Sequence, residues 1–293
     1  MKHIYQILLV VAMLLVMPAG MSAQIYDNLR PPTRTTRPTT PPKKKPTKKK
    51  WEYKGAFCEG LASVKDDNEK WGFIDKTGKL IIPCKWEYAH DFSEGLAYVK
   101  DDNGKRGFID KTGKVVIPCK WRDANSFTEG LARVVDDNGK RGFIDKTGKL
   151  VIPCIWKDAW SFYDGLASVQ DDNLKYGFID MTGQVVIPCK WKHAKAFREG
   201  LAAVEDDNGK YGFIDKTGQL VIPCKWESAW PFSEGLAEVE DDNGKHGFID
   251  KTGQLVIPCK WKWAYSFSEG RAEVSDDNGC HMIDKTGKII KDL

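Results

Sequence analysis

Eight cysteines are the residues of this chain best suited to covalent or metal chemistry. Six of them recur at one position of a 35-residue period: Cys84, Cys119, Cys154, Cys189, Cys224 and Cys259. Equivalent positions on stacked sheets lie about 10 Å apart, whereas a disulfide needs Cα atoms within about 7 Å. We therefore expect these six to be small, buried and unpaired. Cys58 and Cys280 lie outside the pattern, and their pairing stays open.

An Asp-Asp-Asn triplet recurs seven times, from Asp66-Asp67-Asn68 to Asp276-Asp277-Asn278. Clustered side-chain oxygens can hold calcium, but the alternating acids and distant glutamate of a calcium loop are not present in the sequence. Asp and Asn also favour turns by bonding to nearby backbone, which is the interpretation we favour. Cysteine and histidine are too dispersed for a metal cluster, so the sequence predicts neither a metal site nor a cofactor.

Catalysis is not indicated by the acidic residues, because every conspicuous acid is copied from unit to unit. The catalytic residues of an enzyme belong to one site and should differ from the other copies. Paired carboxylates of the kind used in glycoside hydrolysis are not singled out in this way, and the sequence has no Ser-His-Asp arrangement or phosphate-binding loop. We expect a protein that is not an enzyme, with a hydrolase of unrecognised site as the weaker alternative.

The elements that position these residues follow the same period of 35 residues. Seven units begin at Trp51, Trp86, Trp121, Trp156, Trp191, Trp226 and Trp261. In the second unit, turn signals at Asn-Gly and Lys-Thr-Gly separate predicted strands at residues 96–100, 106–110 and 115–117. Pro118 should end the third strand, since proline cannot donate to a sheet. Each unit is therefore predicted to be a three-stranded antiparallel meander.

The connection from Trp121 to Gly130 has its own pattern. Trp121, Ala124 and Phe127 are spaced by three, which predicts a helical turn whose apolar side packs into the core between units. Within the second strand of the meander, Gly107 predicts a bulge or a close backbone approach, because glycine otherwise weakens a strand.

Three segments of each unit, F-S-E-G-L-A, G-F-I-D-K-T-G and V-I-P, carry a family resemblance. Repeated over residues 51–293, they resemble the WG-repeat family of bacterial proteins. The Trp-Gly pair that names the family occurs once, at Trp71-Gly72. The resemblance implies an all-β repeat scaffold and no particular activity.

The fold class predicted from these patterns is all-β, a tandem array of seven units over residues 51–293. One 35-residue meander buries too little surface alone, so neighbours must stack. We favour an open superhelical or solenoid-like stack, because the end units are atypical and propeller blades usually have four strands and about 40 or more residues. A seven-bladed β-propeller-like ring is the alternative.

The first 50 residues differ from the array. A basic start, an apolar run from Ile4 to Met17 and small residues from Ala19 to Ala23 predict a signal peptide at residues 1–23. Residues 24–50 are rich in Pro, Thr and Lys, with nine basic residues and one acid, and are expected to be a disordered linker. The array has 35 basic and 40 acidic residues. We expect an exported protein, periplasmic, outer-membrane-associated or secreted, whose basic tail contacts an anionic envelope surface or serves as a solvated spacer.

Side chains that vary between units are the candidate binding residues, because aromatic residues and arginine commonly anchor interfaces. One set precedes the repeated glycine: Trp71, Arg106, Arg141, Tyr176, Tyr211 and His246. The other lies after the core tryptophan: Tyr88, Trp160, Lys195, Trp230, Trp263 and Tyr265. These sets predict a non-catalytic, extracytoplasmic binding scaffold for a protein or glycan of the cell envelope, not for nucleic acid. A structural envelope spacer without a specific ligand is the alternative.

Overall fold

The computed structural model describes residues 51–292, and all regular structure in this range is β. The predicted signal peptide at residues 1–23 and linker at residues 24–50 lie outside the described residues. Within residues 51–292, no helix is long and apolar enough to span a membrane.

Seven antiparallel sheets follow one another along the chain, and each contains four strands in sequence order. The first strands are β1 (Tyr53–Cys58), β5 (Tyr88–Ala89), β9 (Asp123–Ala124), β13 (Asp158–Ala159), β17 (His193–Ala194), β21 (Ser228–Ala229) and β25 (Trp263–Ala264). The second strands are β2 (Leu61–Lys65), β6 (Leu96–Lys100), β10 (Leu131–Val135), β14 (Leu166–Gln170), β18 (Leu201–Glu205), β22 (Ala237–Glu240) and β26 (Arg271–Ser275). The third strands are β3 (Trp71–Asp75), β7 (Arg106–Asp110), β11 (Arg141–Asp145), β15 (Tyr176–Asp180), β19 (Tyr211–Asp215), β23 (His246–Ile249) and β27 (Cys280–Asp284). The fourth strands are β4 (Leu80–Trp86), β8 (Val115–Trp121), β12 (Leu150–Trp156), β16 (Val185–Trp191), β20 (Leu220–Trp226), β24 (Leu255–Trp261) and β28 (Ile289–Asp292).

The all-β array of seven units is confirmed, but the expected three strands per unit is wrong. The connection after the core tryptophan forms a two-residue strand, such as β9, that pairs with the next strand instead of a helical turn. The predicted end at Pro118 is also wrong, because β8 continues to Trp121. Proline is tolerated here because β8 lies at the edge of its sheet, where a missing N–H removes no ladder bond on the outer side.

The repeated glycine of the third strand allows a close backbone approach, as predicted. At Gly107, an added Cβ would lie 2.5 Å from the Ile117 carbonyl oxygen and 2.6 Å from the Cys119 nitrogen. The pairing of β7 with β8 is irregular at the same place, between Arg106 and Phe108. A side chain at this position would therefore force the two strands apart.

The hydrophobic core lies between successive sheets. Leu61, Phe73 and Ile82 of the first sheet pack against Ala97, Val99 and Ile109 of the second. The core also takes in Ala89 and Phe92 of the connection, and the Phe73 and Phe92 rings are 4.8 Å apart. The later sheets repeat this arrangement. The predicted role of the Trp, Ala and Phe positions as core between units is confirmed.

A charged joint, a carboxylate that accepts a glycine N–H, links each sheet to the next, and at four of the six boundaries within residues 51–292 this carboxylate also forms an ion pair. Glu94 adopts a positive φ of 52° in the tight turn before β6, a conformation that costs a non-glycine residue about 1 kcal/mol or more. Its carboxylate accepts the Gly130 N–H at 3.1 Å and pairs with Lys146 Nζ at 3.0 Å, both in the following unit. These bonds between units offset the strain. The joint recurs with Glu59, Glu199 and Glu234.

The two ends of the array differ from its interior. Arg271 and Lys291 of the seventh sheet are exposed, although the equivalent positions in the sixth sheet hold the buried Leu236 and Ile257. The carboxylate of Glu269, the last copy of the joint glutamate, has no hydrogen-bond or ion-pair partner within residues 51–292. At the other end, Trp51 and Phe57 pack over the outer face of the first sheet. These polar and self-covered ends are those of an open stack, which is the leading sequence prediction.

Candidate binding surface

Side chains that differ between units gather at the boundaries between sheets. The second to sixth units each contribute four positions, which in the second unit are Tyr88, His90, Tyr98 and Arg106, and the end units contribute fewer. The Tyr98 ring stacks on His90 with centroids 4.8 Å apart, and the Arg106 guanidinium lies 5.2 Å from the same ring. Arg106 also donates to the Ala124 carbonyl of the third unit at 3.0 Å. We call the four positions together, in all units, the variable band.

The variable band takes its members from four elements. From the two-residue first strands come Tyr88, Asp123, Asp158, His193, Ser228 and Trp263. The position two residues after each of these first-strand members is occupied by His90, Asn125, Trp160, Lys195, Trp230 and Tyr265. From the middle of the second strands come Ser63, Tyr98, Arg133, Ser168, Ala203, Glu238 and Glu273. From the start of the third strands come Trp71, Arg106, Arg141, Tyr176, Tyr211 and His246.

The two predicted sets of binding residues therefore lie in one band. The rings of Trp71 and Tyr88, one from each set, are 5.2 Å apart across the first boundary between sheets. The two sets also meet within the fifth unit, where Lys195 Nζ lies 5.5 Å from the Tyr211 ring centroid. The sequence treated these positions as separate zones, whereas the stacking of sheets makes them neighbours.

The first part of the band is an ionic network, the ionic half, made of Arg106, Asp123, Asn125, Arg133, Arg141 and Asp158. Arg133 donates to Asn125 Oδ1 at 2.8 Å and lies 3.6 Å from the Asp123 carboxylate, and its side chain is only 14% exposed. Arg141 pairs with Asp158 at 3.3 Å, and Arg106 pairs with Asp123. Burial lowers the pKa of Arg133 against the opposing effect of the two aspartates. Each of these charges has an oppositely charged partner within the protein, although Arg133 Nε and Arg141 Nε are buried without a hydrogen-bond partner among the described residues.

Tyr176 separates this network from the rest of the band. Its ring stacks on His193 with centroids 5.0 Å apart, and the residue is only 7% exposed. Burial raises the pKa of its hydroxyl, which lies 3.5 Å from Asp158. Tyr176 was a candidate binding residue, but the structure places it in the core between the fourth and fifth sheets.

The later part of the band exposes its rings. This aromatic half consists of Trp160, Lys195, Tyr211, Trp230, Trp263 and Tyr265. Trp160 and Trp230 are 51% and 50% exposed. Lys195 Nζ lies over the Trp230 ring, 3.6 Å from its centroid, so a cation covers one face of that indole while half of the residue remains exposed. Burial lowers the pKa of Lys195.

A buried carboxylate lies behind the aromatic half. The Glu238 side chain is 2% exposed and is hydrogen-bonded to His246 Nδ1. Burial raises the pKa of Glu238, and His246 and then Lys195 oppose that effect. His246, a predicted binding residue, is thus engaged with an internal partner. Trp263 is half-buried and lies 5.0 Å from the exposed Tyr265.

Sequence reasoning missed the second-strand members of the band, above all Tyr98, Arg133 and Glu238. In one unit they look like the outward side of an ordinary alternating strand. The residue at this position of the second strand varies from unit to unit, and the same kind of variation identified the other two sets of candidate binding residues. That criterion, applied to every position of the repeat, would have identified them.

The cysteines and acidic triplets are engaged in the scaffold. All eight cysteines are free thiols. Burial raises the pKa to about 11 for Cys119, Cys154, Cys189, Cys224 and Cys259. In the second triplet, Asp101 Oδ1 accepts the backbone N–H groups of Asn103 and Lys105, and Asp102 pairs with Lys70 at 2.7 Å. Among residues 51–292, no three His, Cys, Asp or Glu side chains are grouped to hold a metal ion.

The repeat unit itself decides the family. Six consecutive copies match the family model described as "WG containing repeat", at residues 71–105, 107–140, 142–174, 176–211, 211–245 and 247–280. The chain belongs to the WG-repeat family. No curated protein sequence matches it.

Solved structures resemble this WG-repeat protein in fold only. The computationally designed Ika8 protein is 14% identical, with a TM-score of 0.52, and the match covers 81% of this chain and 85% of Ika8. BamB from Moraxella catarrhalis is 12% identical, with a TM-score of 0.44 and coverages of 78% and 83%. The WD40 beta propeller domain of Doa1 is 11% identical, with a TM-score of 0.37 and coverages of 78% and 90%.

Proposed function

We propose that this WG-repeat protein is a non-catalytic binding scaffold that acts outside the cytoplasm and presents its variable band to a protein or glycan of the cell envelope. One observation carries the proposal. The core between sheets is nearly the same in every unit, whereas the positions of the band differ from unit to unit and line up across the boundaries between sheets.

The aromatic half is the part of the band that we assign to the ligand. Its exposed indoles, Trp160 and Trp230, come from alternate units, and the Lys195 ammonium lies over the second of them. Large exposed aromatic rings anchor interfaces at a low cost in side-chain entropy. The ionic half contributes rigidity, because its charged groups already have partners within the protein.

The rest of the proposal concerns location. The N-terminal signal directs export, and the basic linker of residues 24–50 contacts an anionic envelope surface. This electrostatic contact adds to, and does not replace, recognition by the array.

The test is binding of the purified protein to an isolated bacterial envelope fraction, measured by co-sedimentation across a range of protein concentrations. The double variant Trp160→Ala/Trp230→Ala should bind about thirtyfold more weakly or worse, since an anchoring aromatic residue contributes about 2 kcal/mol or more. Treating the fraction with protease, or with periodate to oxidise sugars, separates a protein ligand from a glycan.

The matched control is Ile155→Ala, because Ile155 is 59% exposed but lies outside the band. It should bind like the unchanged protein. Equal binding by the double variant and the control would refute the proposed surface, and would favour the structural spacer with contact through the basic linker alone.

A further inference from the structure

A cavity of about 470 Å³ lies beside the aromatic half, lined by residues from four successive units. Its lining residues Pro231 and Ser266 directly follow the band residues Trp230 and Tyr265 in the chain. Sites for small molecules typically have volumes of about 300–1,000 Å³. The cavity is therefore large enough for a ligand of the size of one sugar residue.

The cavity lies where the repeat loses its regularity. In the second and sixth units, a serine before the joint glutamate donates to the phenylalanine carbonyl of the next unit, as Ser93 does at 2.8 Å and Ser233 at 2.7 Å. The first and third units carry the similarly small Cys58 and Thr128. The fourth and fifth units carry Tyr163 and Arg198 at this position instead. The Arg198 guanidinium stacks 3.7 Å from the Tyr163 ring centroid. A binding site in a repeat protein should break the repeat in this way, since one site needs one set of residues.

Arg198 keeps its hydrogen-bonding capacity for a ligand. Within residues 51–292 its guanidinium has no hydrogen-bond acceptor and no acidic partner, and the Tyr163 ring engages only its flat face. A stacked guanidinium leaves its N–H groups available at the edge, where they match the two oxygens of a carboxylate.

The acids at the cavity are partly neutralised by the scaffold. Glu199 is occupied by Lys251 at 3.0 Å and by the Gly235 N–H at 3.1 Å. Asp164 accepts the Gly200 N–H through Oδ2 at 2.9 Å, and Lys216 Nζ donates to the Asp164 carbonyl. In the described part of the chain, Asp164 Oδ1 has no donor. The lining thus offers one unpaired cation, one free acceptor oxygen and the exposed Ser266 hydroxyl.

We propose that this cavity binds an acidic sugar residue, a hexuronate, of an envelope glycan. Arg198 binds the carboxylate, Asp164 Oδ1 and Ser266 bind ring hydroxyls, and Pro231 contacts the sugar C–H face. Hydroxyl groups both donate and accept, so they suit a lining that mixes a carboxylate oxygen with donors. This proposal rests on the proposed function in one respect, which is that the rest of the glycan extends along the aromatic half. The cavity itself is testable with a monosaccharide.

The test compares sodium glucuronate with glucose, which differ by the carboxylate, in a saturation-transfer NMR titration of the purified protein. Glucuronate should saturate the protein and bind about tenfold or more tightly than glucose, as expected for hydrogen bonds to a charged group.

Arg198→Ser should lower the affinity for glucuronate to that for glucose. This variant carries the residue of the sibling units, so it should fold normally, with the introduced hydroxyl placed to bond the Phe232 carbonyl. Arg122→Ser, at an exposed arginine away from the cavity, is the matched control and should change nothing.

Three results would overturn the proposal: no saturable glucuronate binding, equal binding of the two sugars, or full glucuronate binding by Arg198→Ser. The envelope experiment distinguishes this failure from failure of the proposed function. If the double tryptophan variant loses envelope binding while glucuronate does not bind the protein, the band is a binding surface and the cavity assignment alone is wrong.

Discussion

The ionic half and the aromatic half of the variable band occupy equivalent positions of the same scaffold, yet they use their side chains differently. In the ionic half, Arg133 is surrounded by Asn125 and Asp123 and is largely removed from solvent. In the aromatic half, Trp160 and Trp230 remain half exposed. Variation between units therefore does not by itself identify a binding surface. A variable residue is available to a ligand only if its neighbours in the next sheet leave it unsatisfied.

The cause of the difference is the chemistry of neighbouring units. Where one unit supplies Arg106 or Arg141 and the next supplies Asp123 or Asp158, opposite charges meet across the boundary and pair. Where one unit supplies Trp160 and the unit after next supplies Trp230, the intervening Lys195 covers only one of the two rings. Apolar rings that the scaffold does not bury are left for another molecule.

The largest effect should come from replacing a band residue that the scaffold has buried. Tyr176→Ala removes a ring that packs into the core between two sheets, and should lower the free energy of unfolding by about 3 kcal/mol. Trp160→Ala, the neighbouring exposed aromatic, should lower it by no more than about 0.5 kcal/mol. Denaturant unfolding of both variants measures the difference. Similar losses would mean that the burial of a band residue does not determine how much it contributes to the stability of the scaffold.

A smaller effect is expected from the charged members. Arg133→Leu leaves Asn125 without its partner and removes the cation that faces Asp123 and Asp158. The free energy of unfolding should fall by about 1–2 kcal/mol. This is less than the loss of a fully buried ion pair would cost, because the two aspartates are partly exposed to solvent. Lys195→Leu is the matched change in the aromatic half. Burial lowers the pKa of Lys195 as it does that of Arg133, but within residues 51–292 the Lys195 side chain has no hydrogen bond or ion pair to break, so its loss should be close to neutral. A larger loss for Lys195→Leu than for Arg133→Leu would reverse the comparison.

The sequence predicted the scaffold better than the band. The period of 35 residues, the bulge at Gly107 and the core role of Phe127 all follow from local rules that each unit repeats. The first strand of the second to seventh sheets was missed because two residues, such as Asp123–Ala124, are too few to show an alternating pattern. Pro118 was misread because its effect depends on whether its strand lies at an edge, which a single unit does not reveal.

The band depends on contacts between units and is therefore less visible in the sequence. Tyr98 and Glu238 look alike in sequence, as polar-side residues of the same strand position. In the structure, Tyr98 stacks on His90, while Glu238 is buried against His246. Their surroundings come from residues in other elements and, for Glu238, also from Lys195 of the preceding unit, so the pattern of one strand does not distinguish a packed side chain from an exposed one.

The smallest effect concerns pH and the buried carboxylate behind the aromatic half. Glu238 has a folded pKa raised above its ordinary value of 4.5 by burial, so the folded protein binds a proton more readily than the unfolded chain does. The stability that this group contributes is present below pH 4.5 and is lost as pH rises through the folded pKa.

Glu238→Gln, which mimics the protonated form, should therefore be more stable than the unchanged protein at neutral pH, and the difference should shrink as pH falls toward about 4. Glu273→Gln, at the equivalent position of the seventh unit and less buried than Glu238, is the control. Thermal unfolding at several pH values measures both. An unchanged or reduced melting temperature for Glu238→Gln at neutral pH would show that the pairing of Glu238 with His246 and Lys195 outweighs its burial, and that the aromatic half rests on a charge network of the same kind as the ionic half.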